Sequence, residues 1–432
     1  MERPESVPKE LLIIRISTIN IILIMLFAIL PSCKNMNKEP GTISTVRARR
    51  TQQSDEELRQ TALKICQNKI ILDSHIDWPE FILDNPEDIS KQTAKGDFDL
   101  VRAWKGGLNA VFSVAYISPD FDIDKGRLMV DSMLNLIRHY SETYPDKFAL
   151  ALSPEDVKSN FDKKLFSLIP CLENGSPIGN DPDYLKYLKN QGIAYITLCH
   201  SKTNLISDSN FDTERRWNGL SPSGVELINK MNHLGIMIDI SHSSDSTVSQ
   251  AVRLSQAPVI GSHSSCRHFV PGFERNLSDE LIRAIAKKKG VVMVNFCTQF
   301  LDSVCNKNTE EIQNLLNSMK LNYDSKEGAE LIAEFGRTHR LLCDSKQLVD
   351  HIEHIIKVAG IDYVGIGSDF DGIGPLKPSD VPDVSGYPVI VFELLKRGYS
   401  EKDIEKILSG NFLRVWKDVI AIAGSLNKSK TI

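Results

Sequence analysis

Hydrophobic and polar positions alternate in two rhythms along the chain. Short, near-continuous apolar runs recur at Lys69–Leu72, Ala110–Ala115, Ser167–Leu172, Ala194–Leu198, Ile236–Ile240, Pro258–Ile260, Val291–Asn295 and Tyr363–Gly367. Runs of this length without polar alternation fit strands buried on both faces, as in a parallel sheet. Between them lie stretches with apolar residues three or four apart, such as Gly224-Val-Glu-Leu-Ile-Asn-Lys-Met-Asn-His-Leu234, which predict amphipathic helices. Strand and helix alternating in this way predict the α/β class and a (β/α)8 barrel of the TIM type. An open doubly wound sheet is the alternative, but it more usually carries a Gly-rich loop after its first strand. Here that loop reads Asp73-Ser-His-Ile-Asp77. The longest interruption, about residues 300 to 347, keeps a helical rhythm. It predicts a helical excursion between strands seven and eight, suited to a lid or a subunit contact.

Ser54 and Glu57 have the spacing of a capping box ahead of a helical pattern over Leu58–Cys66, so the folded domain is expected over 54–424, with a polar tail over 425–432. Upstream, Lys9 and Arg15 precede the apolar run Ile16–Leu30, which meets Pro31, Ser32 and Cys33. A charged start, an apolar centre and small residues predict a signal peptide over 1–32. The run is marginal for a spanning helix, which needs about 20 apolar residues. Leu30, Ser32 and Cys33 resemble a bacterial lipobox, so Cys33 is the expected lipidation site of an exported, membrane-anchored lipoprotein facing the periplasm or cell exterior. An uncleaved N-terminal anchor is the alternative. Residues 33–53 are polar and aperiodic and read as a flexible tether.

Composition changes this picture little. With 41% hydrophobic and 25% charged residues the chain is an ordinary globular one, and a single barrel can absorb most of its 432 residues. The net charge is −5 and the cations are dispersed. That excludes a nucleic-acid partner, which needs clustered cations, and leaves a small-molecule or peptide substrate. Once Cys33 is lipidated, seven of the eight cysteines remain, an odd number that cannot pair completely. No Cys-x-x-Cys pair exists to build a zinc knuckle, so most are expected to be small buried residues.

The candidate chemistry lies just past the strands. His75 and Asp77 follow the first predicted strand, Glu173 the third, His200 the fourth, His242 the fifth, His263 the sixth and Asp369 the eighth. In this fold the C-terminal strand ends open onto one face, so these side chains converge there. The remaining histidines, His139, His233, His339, His351 and His354 in or beside predicted helices and His268 in a loop, are expected to face solvent. Imidazole and carboxylate together suit Zn²⁺, and a bridging carboxylate can hold two ions about 3.5–4 Å apart. His75 and Asp77, at i and i+2 of an extended segment, can chelate one ion; His242 and His263 can take the other, with Glu173 between them. Water trapped between two cations loses a proton near neutral pH and becomes the nucleophile, leaving Asp369 to pass the proton to a leaving amine. No lysine stands at a strand end to supply a carbamylated bridge.

These segments also resemble a known family. Asp73-Ser-His75-Ile-Asp77, Leu172-Glu173-Asn-Gly175, Thr197-Leu-Cys-His200, Ile238-Asp-Ile-Ser-His242-Ser, Gly261-Ser-His263-Ser-Ser265, Arg275-Asn276-Leu-Ser-Asp279, Gly367-Ser-Asp369-Phe-Asp-Gly372 and Gly410-Asn-Phe-Leu-Arg-Val415 stand in the order of the membrane (renal) dipeptidase motifs. The resemblance spans roughly residues 65–420. It implies two zinc ions per chain, one on His75 and Asp77, one on His242 and His263, bridged by Glu173. It further implies that His200 polarises the scissile carbonyl, that Arg275 binds the substrate carboxylate, and that Asp369 contacts substrate and handles protons. Dipeptide substrates, some with a C-terminal D-residue, opening of carbapenem β-lactam rings as in some members, and a homodimeric assembly follow from the same resemblance. The resemblance also puts Cys266 and Cys305 in segments that a family disulfide can join. Two rival readings stand beside this one. One is another binuclear amidohydrolase acting on lactones, cyclic amides or phosphotriesters, which usually opens with His-x-His rather than the present His-x-Asp. The other is a non-catalytic, tethered metal- or solute-binding lipoprotein, which would need neither His200 nor Asp369.

Overall fold

Eight strands lie side by side in the computed structural model, which describes residues 53–322 and 325–428. All are parallel, in the order β1 (Ile71–Ile76), β2 (Leu108–Tyr116), β4 (Phe166–Glu173), β5 (Tyr195–Thr197), β6 (Met237–Asp239), β7 (Val259–Gly261), β8 (Val291–Val294) and β9 (Val364–Ile366). The sheet comes round on itself where β1 meets the segment after β9. Ile76 bridges Phe370 in parallel, the amide of Asp369 donates to His75 O over 2.9 Å, and the amide of Asp77 donates to Phe370 O over 2.9 Å. The barrel class and its eight strands are those expected. A short extra strand, β3 (Phe148–Leu150), pairs with the first half of β4; at three residues it leaves no periodic signal to read.

The eight barrel strands are buried on both faces along nearly their whole length, and alternate residues feed two different cores. Leu72, Phe112, Ile169, Tyr195, Ile260 and Met293 fill the barrel interior. Their neighbours Ile71, Val111, Leu168, Ile196, Val259 and Val292 face the surrounding helices. The last helix, Asn411–Lys428, plugs one end: the rings of Phe412 and Trp416 meet Phe112 at 4.8 and 5.4 Å. Tyr195 stacks on the other side of Phe112 at 5.4 Å. The chemistry is built at the other end of this aromatic column.

The first helix, Asp55–Asn68, begins with the expected capping box between Ser54 and Glu57. The excursion is also present, as helices Thr298–Leu301, Ser303–Met319 and Lys326–Phe335 ahead of Ser345–Ala359. It forms a small core of its own from Ile312, Leu316 and Leu341, against which Leu376 of the segment after β9 also packs. The expected signal peptide, Cys33 and residues 33–52 of the tether lie outside the described residues. Among the described residues, no helix is long and apolar enough to cross a membrane.

Candidate metal centre

The donor side chains leave the barrel from strand ends or from the first residues beyond them. His75 is the fifth residue of β1, Asp77 follows that strand, and Glu173 closes β4. His200, His242, His263 and Asp369 stand two or three residues past β5, β6, β7 and β9. Several of these ends turn through backbone conformations that side chains disfavour: Asn174, His242, Asp369 and Asp371 have φ of 64 to 70°. Each costs on the order of 1 kcal/mol, strain kept where it aims a functional group.

The donors converge. His242 Nε2 and His263 Nε2 lie 3.1 and 3.2 Å from Glu173 Oε1 and 2.8 Å from each other. On the far side of the same carboxylate, His75 Nε2 is 3.5 Å from Glu173 Oε2, 3.6 Å from Asp77 Oδ2 and 3.7 Å from Asp369 Oδ1. Ligands held about 2.0–2.1 Å from a tetrahedral cation stand roughly 3.3 Å apart, so both clusters have the edge lengths of a coordination shell. Three overlapping donor sets result: His75, Glu173 and His263; Glu173, His200 and His242; His75, Asp77 and Asp369. The buried atoms His75 Nε2, Glu173 Oε1 and Asp77 Oδ1 lack hydrogen-bond partners, the condition expected of atoms shaped for a cation. Glu173 belongs to both sides and can bridge two ions.

Hydrogen bonds behind the imidazoles fix which nitrogen is free. Tyr195 spends its only hydroxyl hydrogen on Ser74 O at 3.0 Å, so at 2.7 Å from His75 Nδ1 it must accept, which leaves Nε2 as the lone pair. The Ser262 hydroxyl donates to Asp239 Oδ2 at 2.6 Å and therefore accepts from His263 Nδ1 at 2.7 Å. Asp239 is fully buried and gathers further bonds from Thr197 Oγ1 at 2.6 Å, the Ser262 amide at 2.8 Å and the Ser241 hydroxyl at 3.0 Å. Asp73 plays a comparable part behind β1, accepting from the amides of His75 and Ser368 and from the Tyr387 hydroxyl; burial raises its carboxyl to about 6.

Electrostatics agree with a cation site. Burial, then the charges of Glu173, Asp369 and Glu80, push Asp77 well above the ordinary carboxylate range. Burial also raises Glu173, but the imidazoles of His75, His242 and His263 gathered around it outweigh burial and hold that carboxyl well below its usual range. Burial and the neighbouring Arg275 and His200 keep His242 neutral, the ligating form.

Other expected residues take clear positions. His200 is only partly buried, its ring 4.8 Å from Tyr116 and 4.1 Å from His242. Asp369 Oδ2 accepts from Asn295 Nδ2 at 2.7 Å. Arg275 is buried behind His242: its guanidinium donates to His263 O at 2.8 Å, lies 3.2 Å from His242 Nε2 and covers the Phe300 ring at 5.0 Å. Among the described residues it forms no ion pair, and its Nε lacks a partner. A cavity of about 1290 Å³ opens above the centre, lined among others by Asp77, Tyr116, Glu173, His200, His242 and Asp369.

Three expectations need correction. His351 and His354 are buried, not solvent-facing. His351 accepts from the Cys266 amide at 2.9 Å and donates to Leu301 O at 3.0 Å, and His354 meets Asp279 at 2.7 Å. Cys266 and Cys305 form no disulfide: the Cys266 thiol donates to His351 O, and Cys305 sits beside Cys343 instead. The first strand starts later and runs further than expected, to Ile76, because its polar residues Asp73, Ser74 and His75 are themselves buried. Sequence reasoning passed over Tyr195, Asp239, Ser262 and Asn295. Asp239 did lie inside the quoted motif around His242, but its partners come from other strands.

Comparison with known proteins bears on this geometry. A family model for membrane dipeptidases (peptidase family M19) matches residues 59–430. Dipeptidase 3 of Mus musculus is 30% identical over 376 residues, covering 85% of this chain and 68% of that protein. The dipeptidase tcpJ of Claviceps purpurea (strain 20.1) is 30% identical over 368 residues, 82% of this chain and 78% of its own length. The crystal structure of the probable dipeptidase PvdM from Pseudomonas aeruginosa aligns with a TM-score of 0.74 at 25% identity, over 85% of this chain and 99% of that one. A metallopeptidase from Rhodobacter sphaeroides, solved with a phosphinate mimic of the dipeptide L-Ala-D-Ala, aligns with a TM-score of 0.69 at 23% identity, over 82% and 100%. A match along nearly the whole barrel, joined to imidazoles and carboxylates gathered at its strand ends, means that the chain belongs to the membrane dipeptidase family, peptidase family M19, and is a metallopeptidase acting on dipeptides.

Proposed function

We propose that the enzyme is a two-zinc dipeptidase in which Glu173 bridges the ions, His75 and Asp77 complete one site, and His242 and His263 complete the other. The observation that carries this reading is the Glu173 carboxylate, with one oxygen turned to His242 and His263 and the other to His75. When bound, zinc supplies a Lewis acid for the scissile carbonyl and a water acidified to near-neutral pH.

The protein's own groups do the rest. His200, on the cavity wall, donates to the carbonyl oxygen as negative charge builds there. Asp369, held by Asn295, takes the proton from the attacking water and passes it to the leaving amine. Arg275 is a buried guanidinium without a carboxylate partner, and a buried charge calls for a counter-charge. The substrate's free carboxylate supplies it through the planar fork that arginine offers. Clamping that carboxylate beside His242 limits the enzyme to short substrates; a C-terminal D-residue, as in the ligand of the Rhodobacter sphaeroides relative, leaves the carboxylate available. Zinc-loaded protein should hydrolyse a panel of L,L- and L,D-dipeptides and fail on their C-terminal amides. Arg275→Met should lose roughly a hundredfold in kcat/KM while keeping its metals, since a charge-assisted contact of this kind is worth a few kcal/mol. Equal rates on a dipeptide and its amide would remove the clamp.

A further inference from the structure

Toward its mouth the cavity wall changes character. Glu80, on the helix Trp78–Asp84 and three residues beyond Asp77, lines the cavity together with Asp84, four residues further on, and Asp371 in the segment after β9. Glu80 is half-buried and has no hydrogen-bond or ion-pair partner among the described residues. Burial and the charges of Asp84 and Glu173 raise its carboxyl to about 7, the mark of a carboxylate without a counter-charge. Across the opening, the buried Oδ2 of Asp371 likewise lacks a partner. Lys95 is the one lysine or arginine on this wall among the described residues, and its ammonium rests on Asn85 Oδ1 at 3.3 Å. Divalent ions on the donor sets would offset Asp77, Glu173 and Asp369. They would leave Glu80 and Asp84 uncompensated, whereas Asp371 has Lys377 and Arg102 nearby.

Direction follows from the two ends of the donor array. Arg275 adjoins His242 and Phe300, whereas Asp77 and the helix carrying Glu80 lie on the His75 side, with Glu173 between. A dipeptide with its carboxylate at Arg275 and its carbonyl at His200 therefore places its amino-terminal residue over Asp77 and Glu80. Phe81 and Tyr116 line the same wall and supply apolar ring surface for a methylene stem. We propose that Glu80, backed by Asp84, is a specificity-determining residue that reads a cationic side chain, lysyl or arginyl, on the amino-terminal residue of the dipeptide. This rests on the dipeptidase reading and on the carboxylate clamp at Arg275. An opposite charge facing the ligand across the wall favours the cationic substrate and disfavours an anionic one.

The test compares kcat/KM for Lys-Ala and norleucyl-Ala, which share a four-carbon stem and differ by the terminal ammonium, on the zinc-loaded full-length protein. The wild type should favour Lys-Ala by about tenfold or more at low salt, a preference that shrinks as salt screens it. In Glu80→Gln the ratio should fall toward one, and Glu80→Lys should turn preference to Glu-Ala over Gln-Ala. Because each ratio is taken within one protein, differences in folding or metal load cancel. Equal efficiencies for Lys-Ala and norleucyl-Ala in the wild type, or an unchanged ratio in Glu80→Gln, would overturn the proposal. If Ala-Ala were not hydrolysed either, the dipeptidase reading beneath it would fall and take this proposal with it.

Discussion

Asp239 touches no candidate metal donor, yet it decides what His263 can do. A carboxylate can only accept, so the Ser262 hydroxyl must point its hydrogen at Asp239 and offer its lone pair to His263 Nδ1. In Asp239→Asn the amide can present a donor instead, the hydroxyl can turn round, and the His263 proton can move to Nε2, where it blocks the metal. Partners of this kind are worth about 10- to 100-fold in metal affinity. Titration of Asp239→Asn against a competing zinc chelator should show one site weakened by that factor while the other is little changed; two sites of wild-type affinity would sink the idea. Individual donors such as His75 and Glu173 were legible in the sequence because a parallel barrel sends every strand end to one face. Their supports were not. Tyr195 behind His75 and Asp239 behind Ser262 act across strands, and such contacts depend on register, which periodicity does not reveal.

At the scale of an element, the helix Ser345–Ala359 shows what periodicity does and does not say. It was readable as a helix, and Leu348, Ile352 and Ile355 mark its apolar face. His351 lies on that same face, but its polarity argued for solvent. The resolution is that both ring nitrogens are used: the imidazole ties the loop after β7, through the Cys266 amide, to the start of the excursion at Leu301 O. Burial pushes its pKa from 6.5 to about 3. Between those values the unfolded chain binds a proton that the folded protein refuses, so this stability is complete above pH 6.5 and is lost progressively as pH falls toward 3. His351→Leu should cost about 2–4 kcal/mol at neutral pH, from two buried backbone groups left without partners. It should also flatten the acid limb of the stability profile. Denaturant unfolding at pH 7 and pH 5 measures both, and identical pH dependence in variant and wild type would show that His351 is not the titrating group. The polar end of β1 was hidden by the same assumption, that polar residues end a strand.

The whole barrel closes on the candidate metal centre. Its donors come from β1, from the end of β4 and from the segments after β5, β6, β7 and β9, so the candidate cations link strand ends that are separated by most of the chain. Without cations this end of the barrel gathers Asp73, Asp77, Glu173 and Asp239 in burial and leaves His75 Nε2, Glu173 Oε1 and Asp77 Oδ1 unpaired. Such groups are costly to keep from water. A ligand that binds the assembled donors and not the unfolded chain stabilises the fold by mass action, about 4 kcal/mol when its free concentration is a thousand times its Kd. Spread over the unfolding entropy of a domain this large, that amounts to a Tm difference of roughly 5 °C. Removing metal with a chelator should lower the calorimetric Tm by that amount, leave the far-ultraviolet circular dichroism at 25 °C nearly unchanged, and be reversed by added zinc. Glu173→Gln, which weakens the proposed bridge between the two sites, should show a smaller response to added zinc than the wild type. A Tm that did not move after metal analysis had verified removal would mean that these donors are held in place by the barrel alone.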